Sequence, residues 1–167
     1  MTKTLRIAHC SDIHLDGDGY HHSQSGDAHS AYQDAFAHAL ATMQTHKPDL
    51  MLLAGDLFDA NSASPDTIEW SMSILEQQPF PIFMIPGNHD CMGGDAIYRR
   101  YDFNQIRNVD NLTAESGEIA YAKNLGAAVW GKGMVDHSPE FDPLGGCPER
   151  PDDCHWFLGM GHGIHVP

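Results

Sequence analysis

The sequence predicts an α/β fold built around a parallel β-sheet. Three short apolar segments of strand length alternate, in the first half of the 167 residues, with two segments that show helical periodicity. Strand–helix–strand units of this kind form right-handed crossovers, which place their strands parallel in one sheet. A chain of this length buries a single core, so we predict one domain over residues 1–167.

The first strand and the first helix precede Pro48. Residues 5–10, LRIAHC, form an apolar strand, and a polar, glycine-containing loop follows over residues 16–30. Helical spacing then brings four apolar side chains onto one face: Tyr32, Phe36, Leu40 and Met43. Pro48 ends this helix because proline has no backbone N–H to donate.

The second helix lies between two further strands. Residues 49–55, DLMLLAG, are almost continuously apolar, as in strands that a parallel sheet buries on both faces. The helix begins with Ser64 as N-cap and Pro65 in its first position. Residues 81–86, PIFMIP, form the third strand of the sheet.

The second half of the chain indicates a second, less regular sheet. Short strands are separated by turns at Gly117 and Gly126. Residues 136–153 are rich in Pro, Gly and Asp and are predicted to form a long loop. One more apolar strand follows and ends in Gly and His, within residues 155–166.

The charge of the chain limits its partners. Its formal net charge is -14, from 23 acidic and 9 basic residues, so it repels nucleic acid and anionic membranes unless cations or a partner neutralise it. No apolar stretch has membrane-spanning length, and no membrane partner is expected. The four cysteines form no disulfide framework, so we expect reduced thiols and a cytoplasmic location.

Polar side chains follow every strand that is predicted to be buried. They are Asp12, His14, Asp56, Asp59, Asn88, His89, Asp90, His162 and His165. Because ligands bind outside the carboxyl ends of parallel strands, we expect these side chains to converge. Any one of them could be an ordinary turn residue, and we expect Asp90 to organise its turn rather than to bind a ligand.

Carboxylate, amide and imidazole ligands together suit divalent cations. Asp12 and His14 are two residues apart, so an extended segment would direct both to the same side, where they could hold one ion. One ion seldom needs so many ligands. Two ions about 3.5–4 Å apart that share a carboxylate would use them and would activate water for displacement at a phosphoester.

Three motifs make the pattern more specific. AHCSDIHLD, LLAGDLFD and IPGNHD resemble the first three signature motifs of the calcineurin-like metallophosphoesterases, and the chain is most similar to their DNA-repair exonuclease branch, the nuclease subunits of double-strand-break repair. The resemblance implies a metallophosphoesterase-type β-sandwich flanked by helices, with four layers in the order αββα. It also implies a hydrolase that cleaves phosphodiester bonds, in nucleic acids or nucleotides.

The resemblance assigns a role to each matching residue. It implies five metal ligands: Asp12, His14, Asp56, Asn88 and His162. Asp56 would bridge two divalent ions together with a hydroxide that attacks phosphorus; we expect Mn²⁺, with Fe, Zn and Mg as alternatives. His89 would contact the phosphate and assist the leaving group, supported by Asp59.

The closing motif of the family departs from its usual form. Relatives end the site with Gly-His-x-His, whereas residues 161–165 read GHGIH. Either His162 is an earlier, lone ligand and the closing motif is absent, or these residues are a degenerate closing motif in which His165 takes part. We favour the first. The domain would then be truncated before its final strand, and water, a second protomer or a partner subunit would have to complete the metal shells.

Two other functions stay open at this point. The same fold could serve as a non-catalytic or weakly metal-binding protein-interaction module, or the chain could be a phosphomonoesterase. For a phosphodiesterase, the substrate could be a small phosphodiester, a nucleotide, or DNA presented by a partner. The net charge of -14 weighs against direct DNA binding.

Overall fold

A four-stranded parallel sheet forms the centre of the fold, in a computed structural model that describes residues 4–17 and 28–163. The strands stand in the order β1–β2–β3–β4, and their bounds are Ile7–Cys10, Leu50–Ala54, Ile82–Ile85 and Val109–Asn111. Helices α1 and α2, Ala28–Thr45 and Pro65–Glu76, connect the first three strands. The predicted parallel sheet with helical crossovers is confirmed.

A second sheet packs against the first. It has the order β5–β6–β7, with bounds Glu118–Ala122, Ala127–Gly131 and Trp156–Met160. β5 is antiparallel to β6, whereas β6 and β7 are parallel. The predicted turns are confirmed at Gly117 and Gly126, whose φ angles of 80° and 63° are left-handed.

Strand β2 shows why an unbroken apolar run is needed in the middle of this fold. Met51 and Leu53 pack in one core cluster with the apolar faces of α1 and α2. Leu50 and Ala54 point the other way, into a cluster shared with Val129 and other residues of the second sheet. Because both faces are covered, every position of β2 must be apolar, as in strands that a parallel sheet buries on both faces.

The start of α2 has the predicted cap. The Ser64 side chain accepts a hydrogen bond from the backbone N–H of Thr67 at 3.3 Å, and Pro65 occupies the first turn. The Asp16 carboxylate in turn accepts the N–H of Ser64 at 2.6 Å, which ties the segment after β1 to this helix. The cap therefore helps to fix the loop that carries Asp12 and His14.

Four short elements among the described residues were not predicted: a strand, a helix, and two 3-10 helices at Phe103–Gln105 and Lys123–Leu125. β4 is only three residues long, and the exposed Asp110 at its centre interrupts the apolar pattern. The short helix α3, Ile97–Arg100, has no capping side chain and too few residues for a periodic signal. The long loop predicted over residues 136–153 is confirmed, because no helix or strand occurs in that range. Most of the predicted loop over residues 16–30 lies outside the described residues, as does His165.

The described residues bear on two further expectations. All four cysteines are free thiols, as the absence of a disulfide pattern predicted. Among residues 4–17 and 28–163, no helix combines the length and the apolar character needed to cross a membrane.

Candidate metal centre

The turns after β1 and β2 are joined through the backbone. The N–H groups of Ile13 and His14 both donate to the carbonyl oxygen of Asp56, at 2.8 and 3.1 Å, and the N–H of Asp12 donates to Gly55 at 3.1 Å. Asp12, His14 and Asp56 have φ angles of 56°, 52° and 54°. Such values are costly for residues with a side chain, and they persist only where the surroundings enforce them.

This backbone geometry corrects one sequence argument. Asp12 and His14 do not lie on an extended segment that directs both to the same side, because each has a left-handed φ. Their side chains instead fall into two adjacent groups of potential metal ligands. Within each group the ligand atoms lie within 4.8 Å of one another; the groups are Asp12, Asp56 and His162, and His14, Asp59 and His89.

Asp56 connects the two groups. Its side chain is only 2% exposed, and its Oδ2 lies 3.3 Å from Nε2 of His162 and 3.9 Å from Nε2 of His14. Its Oδ1 accepts the backbone N–H of His89 at 2.9 Å. Asp56 therefore touches both groups, as a bridging ligand must.

Two glycines allow these side chains to approach the backbone. A Cβ atom at Gly55 would collide with the imidazole of His162, and a Cβ at Gly87 would collide with the carboxylate of Asp56. Gly55 also has a φ of 89°. Glycine is needed at both positions because any side chain would displace a candidate ligand.

His162 has the hydrogen bonds of a metal-ligating histidine. Its Nδ1 donates to the carbonyl of Ala54 at 2.8 Å, which leaves Nε2 facing the carboxylate of Asp56 and, at 2.9 Å, Oδ1 of Asn88. Metal-binding histidines commonly donate their second nitrogen to a carbonyl in this way, because the bond fixes the ring and its tautomer. The position fits His162 as a ligand beside Asn88.

The Asp56–His162 pair shifts both titrations in the metal-free chain. The hydrogen bond to Asp56 raises the pKa of His162 to about 9, against the opposing effect of burial. For Asp56, burial alone would raise the pKa, but hydrogen bonds from His162 and His89 outweigh it and lower the pKa below its usual value. The pair is therefore an ion pair at neutral pH when no metal is bound.

This pairing predicts how stability depends on pH in the presence of a chelator. Asp56 contributes stability above its unfolded pKa of 3.8, and His162 contributes fully below its unfolded pKa of 6.5 and ceases to contribute as the pH rises through about 9. Urea unfolding in EDTA should therefore show a decrease in the free energy of unfolding from pH 6 to pH 9.5. The His162→Gln variant should show a smaller decrease; an equal decrease in parent and variant would contradict this assignment.

His89 is oriented by the main chain of Asp59. Nδ1 of His89 donates to the Asp59 carbonyl at 2.7 Å, whereas the Asp59 carboxylate is 3.7 Å away. That carboxylate is closer to Nδ1 of His14, at 3.0 Å. Asp59 therefore does lie beside His89, but through its carbonyl oxygen, and its side chain faces His14.

The surroundings of Nδ1 of His14 indicate that the site fits a cation. This nitrogen is buried, and although a carboxylate oxygen lies 3.0 Å away, it makes no hydrogen bond with any residue in the described part of the chain. Buried imidazole nitrogens are normally satisfied. A ligand nitrogen without a hydrogen bond, among carboxylate and imidazole groups, is an arrangement that a divalent cation would complete.

Asp90 holds the turns after β2 and β3 together. Its fully buried carboxylate accepts four hydrogen bonds, from the N–H groups of Gly87, Leu57 and Phe58 and from the hydroxyl of Tyr98, at 2.7, 2.9, 3.2 and 2.6 Å. The prediction that Asp90 organises its turn is confirmed. Through this network, the segment that carries Asn88 and His89 is fixed relative to Asp56 and Asp59.

One residue of the site was not predicted. Nε2 of His137 donates to the backbone carbonyl of Asn88 at 2.6 Å, which brings the loop after β6 next to the candidate ligands. In the sequence, His137 stands alone in a Pro- and Gly-rich loop, with no spacing that separates it from a surface histidine. Within the described part of the chain, by contrast, the predicted site residues follow strands whose ends meet here.

Comparison with known proteins identifies the family of the chain. The calcineurin-like phosphoesterase family matches residues 5–146. Over 138 residues the chain is 28% identical to the DNA double-strand break repair protein Mre11 of Archaeoglobus fulgidus, a match that covers 79% of this chain and 30% of that protein. Over 91 residues it is 35% identical to the SbcD component of the nuclease SbcCD of Escherichia coli K12, covering 53% of this chain and 22% of that protein.

A third relative carries a different activity in its name. The chain is 31% identical over 124 residues to a probable cyclic nucleotide phosphodiesterase of Pseudoalteromonas sp. strain SM9913, covering 73% of this chain and 44% of that protein. The chain thus spans between 22% and 44% of the length of these three relatives. Because the family match covers most of its residues and includes all three motifs, the chain belongs to the calcineurin-like phosphoesterase family.

Proposed function

We propose that this chain hydrolyses phosphodiester bonds with the help of two divalent cations, which we expect to be Mn²⁺. The observation that carries the proposal is the position of Asp56, buried and in contact with both groups of potential ligands. Membership of a family of phosphoester hydrolases supports the same chemistry. The cations would be held by Asp12, His14, Asp56, Asn88 and His162.

The protein groups have separate tasks in this scheme. Bound cations would neutralise phosphate oxygens and lower the pKa of a water molecule that serves as the nucleophile. Asp56 would help to hold both cations, because its carboxylate lies next to both groups of potential ligands. Asn88 and His162 are already in contact, with Oδ1 and Nε2 2.9 Å apart, so little reorganisation is needed for both to face one cation.

His89 is the proposed general acid. With Nδ1 donating to the Asp59 carbonyl, its Nε2 is left as the nitrogen that can meet a substrate. Its side chain is 42% exposed, unlike that of Asp56, so a leaving group could reach it. From this position His89 would protonate the departing oxygen or stabilise its negative charge.

Names of the relatives support phosphodiesters as the substrate class. Two are nuclease or DNA-repair proteins, and the third is a probable cyclic nucleotide phosphodiesterase. The net charge of -14 disfavours an independent DNA-binding surface, so hydrolysis of DNA would require a partner subunit that binds it.

The test is a direct assay of the purified chain. We expect Mn²⁺-dependent hydrolysis of bis(p-nitrophenyl) phosphate that EDTA abolishes, and slower hydrolysis of the monoester p-nitrophenyl phosphate. Faster hydrolysis of the monoester would favour a phosphomonoesterase. The absence of Mn²⁺-dependent hydrolysis of either ester would contradict the proposal and favour an interaction module.

The His89→Ala variant should separate metal binding from turnover. General acids contribute roughly 10²–10⁴-fold to rates, so we expect kcat for bis(p-nitrophenyl) phosphate to decrease by that range. Mn²⁺ binding measured by calorimetry should be unchanged, because His89 is not one of the five proposed ligands. His38→Ala, an exposed histidine on α1, is the matched control and should alter neither quantity. Loss of Mn²⁺ binding in His89→Ala would instead make His89 a ligand.

A further inference from the structure

We propose that a cavity beside the metal centre binds the heterocyclic base of a small, nucleotide-like phosphodiester. The inference rests on the proposed function and adds the substrate class to it. The cavity has a volume of about 450 Å³, and Asn88 and Gly163 form part of its wall. Asn88 is a proposed ligand and Gly163 directly follows His162, so the cavity and the candidate metal centre share a border.

The size and lining of the cavity suit an aromatic ring. Pockets for small molecules have volumes of roughly 300–1,000 Å³, with apolar walls and a few polar groups. Here Met134, Phe141 and Pro143 provide apolar wall, whereas the polar groups include Asp136, His137 and Ser138. A base with its sugar would fit in such a space.

Phe141 is held in place by Lys132. The Lys132 ammonium lies 5.2 Å from the centre of the Phe141 ring and donates hydrogen bonds to the carbonyls of Asp142 and Gly145, at 3.1 and 3.2 Å. Lys132 lines a second pocket, which Phe141 also lines. The Phe141 ring therefore separates the two pockets. Lys132 contacts the ring from the second pocket, and the ring forms a wall of the cavity beside Asn88.

His137 can add a polar contact. A carbonyl oxygen only accepts hydrogen bonds, so Nε2 of His137 must carry the proton that it donates to Asn88. Nδ1 is then the acceptor of the neutral ring and can receive a hydrogen bond from an amide or amine of a base. The contact with Asn88 also fixes the distance between this group and the metal ligands.

The charge of the chain favours a small substrate. A nucleotide-like diester carries one or two negative charges, which two divalent cations could offset. A DNA strand extends many phosphates over a chain whose net charge is -14, without compensating cations. Contacts with the base would supply the binding energy that nucleases obtain from the phosphate backbone of DNA.

The experiment compares two substrates that release the same product. The p-nitrophenyl ester of thymidine 5′-monophosphate carries a base, whereas methyl p-nitrophenyl phosphate does not. We expect the ratio of their kcat/KM values, nucleotide over methyl, to decrease roughly tenfold in Phe141→Ala, the size of a lost base–aromatic contact. Phe141→Leu keeps the apolar volume and removes the flat ring, so it should lower the ratio even if Phe141→Ala folds poorly.

The control is Tyr121→Ala, which removes a partly exposed aromatic ring on β5 and should leave the ratio unchanged. A ratio that is the same in parent and Phe141→Leu, while both substrates are hydrolysed, would overturn the base pocket and leave the proposed function intact. If the parent hydrolyses neither ester, the proposed function fails. In that case, calorimetric binding of thymidine 5′-monophosphate tests the base pocket. Weaker binding to Phe141→Leu than to the parent supports the pocket, and equal binding overturns it.

Discussion

The Asp56→Asn variant is expected to lose Mn²⁺-dependent hydrolysis of bis(p-nitrophenyl) phosphate, by roughly 10³-fold or more. Asparagine keeps the size of the side chain and one acceptor oxygen, so the hydrogen bond from the N–H of His89 can persist. It removes the negative charge that both groups of potential ligands share. Metal ions supply several kcal/mol to phosphoester chemistry, which corresponds to a loss of this size.

The matched control is Asp34→Asn, which makes the same chemical change at an exposed position on α1. It should retain the parental rate and the parental affinity for Mn²⁺. Circular dichroism and urea unfolding of both variants would show whether a loss of activity reflects a loss of structure. Hydrolysis by Asp56→Asn at the parental rate would contradict a metal centre that is built on this carboxylate.

The Asp90→Ala variant is expected to lose stability by about 3–5 kcal/mol, because its buried carboxylate accepts four hydrogen bonds. Alanine would leave the N–H groups of Gly87, Leu57 and Phe58 without their acceptor. Urea unfolding in EDTA measures the change in the free energy of unfolding without a contribution from bound metal. Tyr98→Phe removes one of the four donors and should cost about 1.5–3 kcal/mol.

Asp34→Ala serves as the control for stability, since a surface substitution on a helix should change the free energy of unfolding by less than about 0.5 kcal/mol. If Asp90→Ala lowers the free energy of unfolding by less than about 1 kcal/mol, the loss is smaller than that of one charged hydrogen bond. Such a result would show that the network does not hold the turns after β2 and β3 together. If stability falls as expected, Mn²⁺ binding should weaken as well, because the same turns carry Asn88 and Asp56.

The sequence was sufficient to predict where the site lies. The apolar runs of β1, β2 and β3 identified a parallel sheet, and the geometry of such a sheet brings the ends of its strands to one edge. Polar residues after those three runs therefore had to converge. His162 follows β7 of the second sheet, so its expected place beside Asp12 rested on the family resemblance. Their ligand atoms do lie in one group with Asp56.

What could not be predicted depends on main-chain atoms. The carbonyl of Asp59 orients His89, and the carbonyl of Ala54 orients His162. Because every residue has a carbonyl, neither contact can be predicted from residue types. The left-handed φ angles of Asp12 and His14 were missed for a related reason. The segment that carries them is held by backbone hydrogen bonds to the turn after β2, which no local pattern encodes.

Short or irregular segments were the other source of error. β4 pairs with β3 in parallel although it has only three residues and Val109 is the only apolar one among them. His137 reaches Asn88 only through the path of a long loop, and loop conformation follows from tertiary contacts such as those of Lys132. Periodicity carries no information about either feature.

The most direct test of the account is an anomalous difference map from crystals of this chain grown with Mn²⁺. We predict two peaks about 3.5–4 Å apart, both next to the carboxylate of Asp56, with Asp12, His14, Asn88 and His162 as further neighbours. A single peak away from Asp56, or no peak at saturating Mn²⁺, would contradict the central claim that this carboxylate joins two cations.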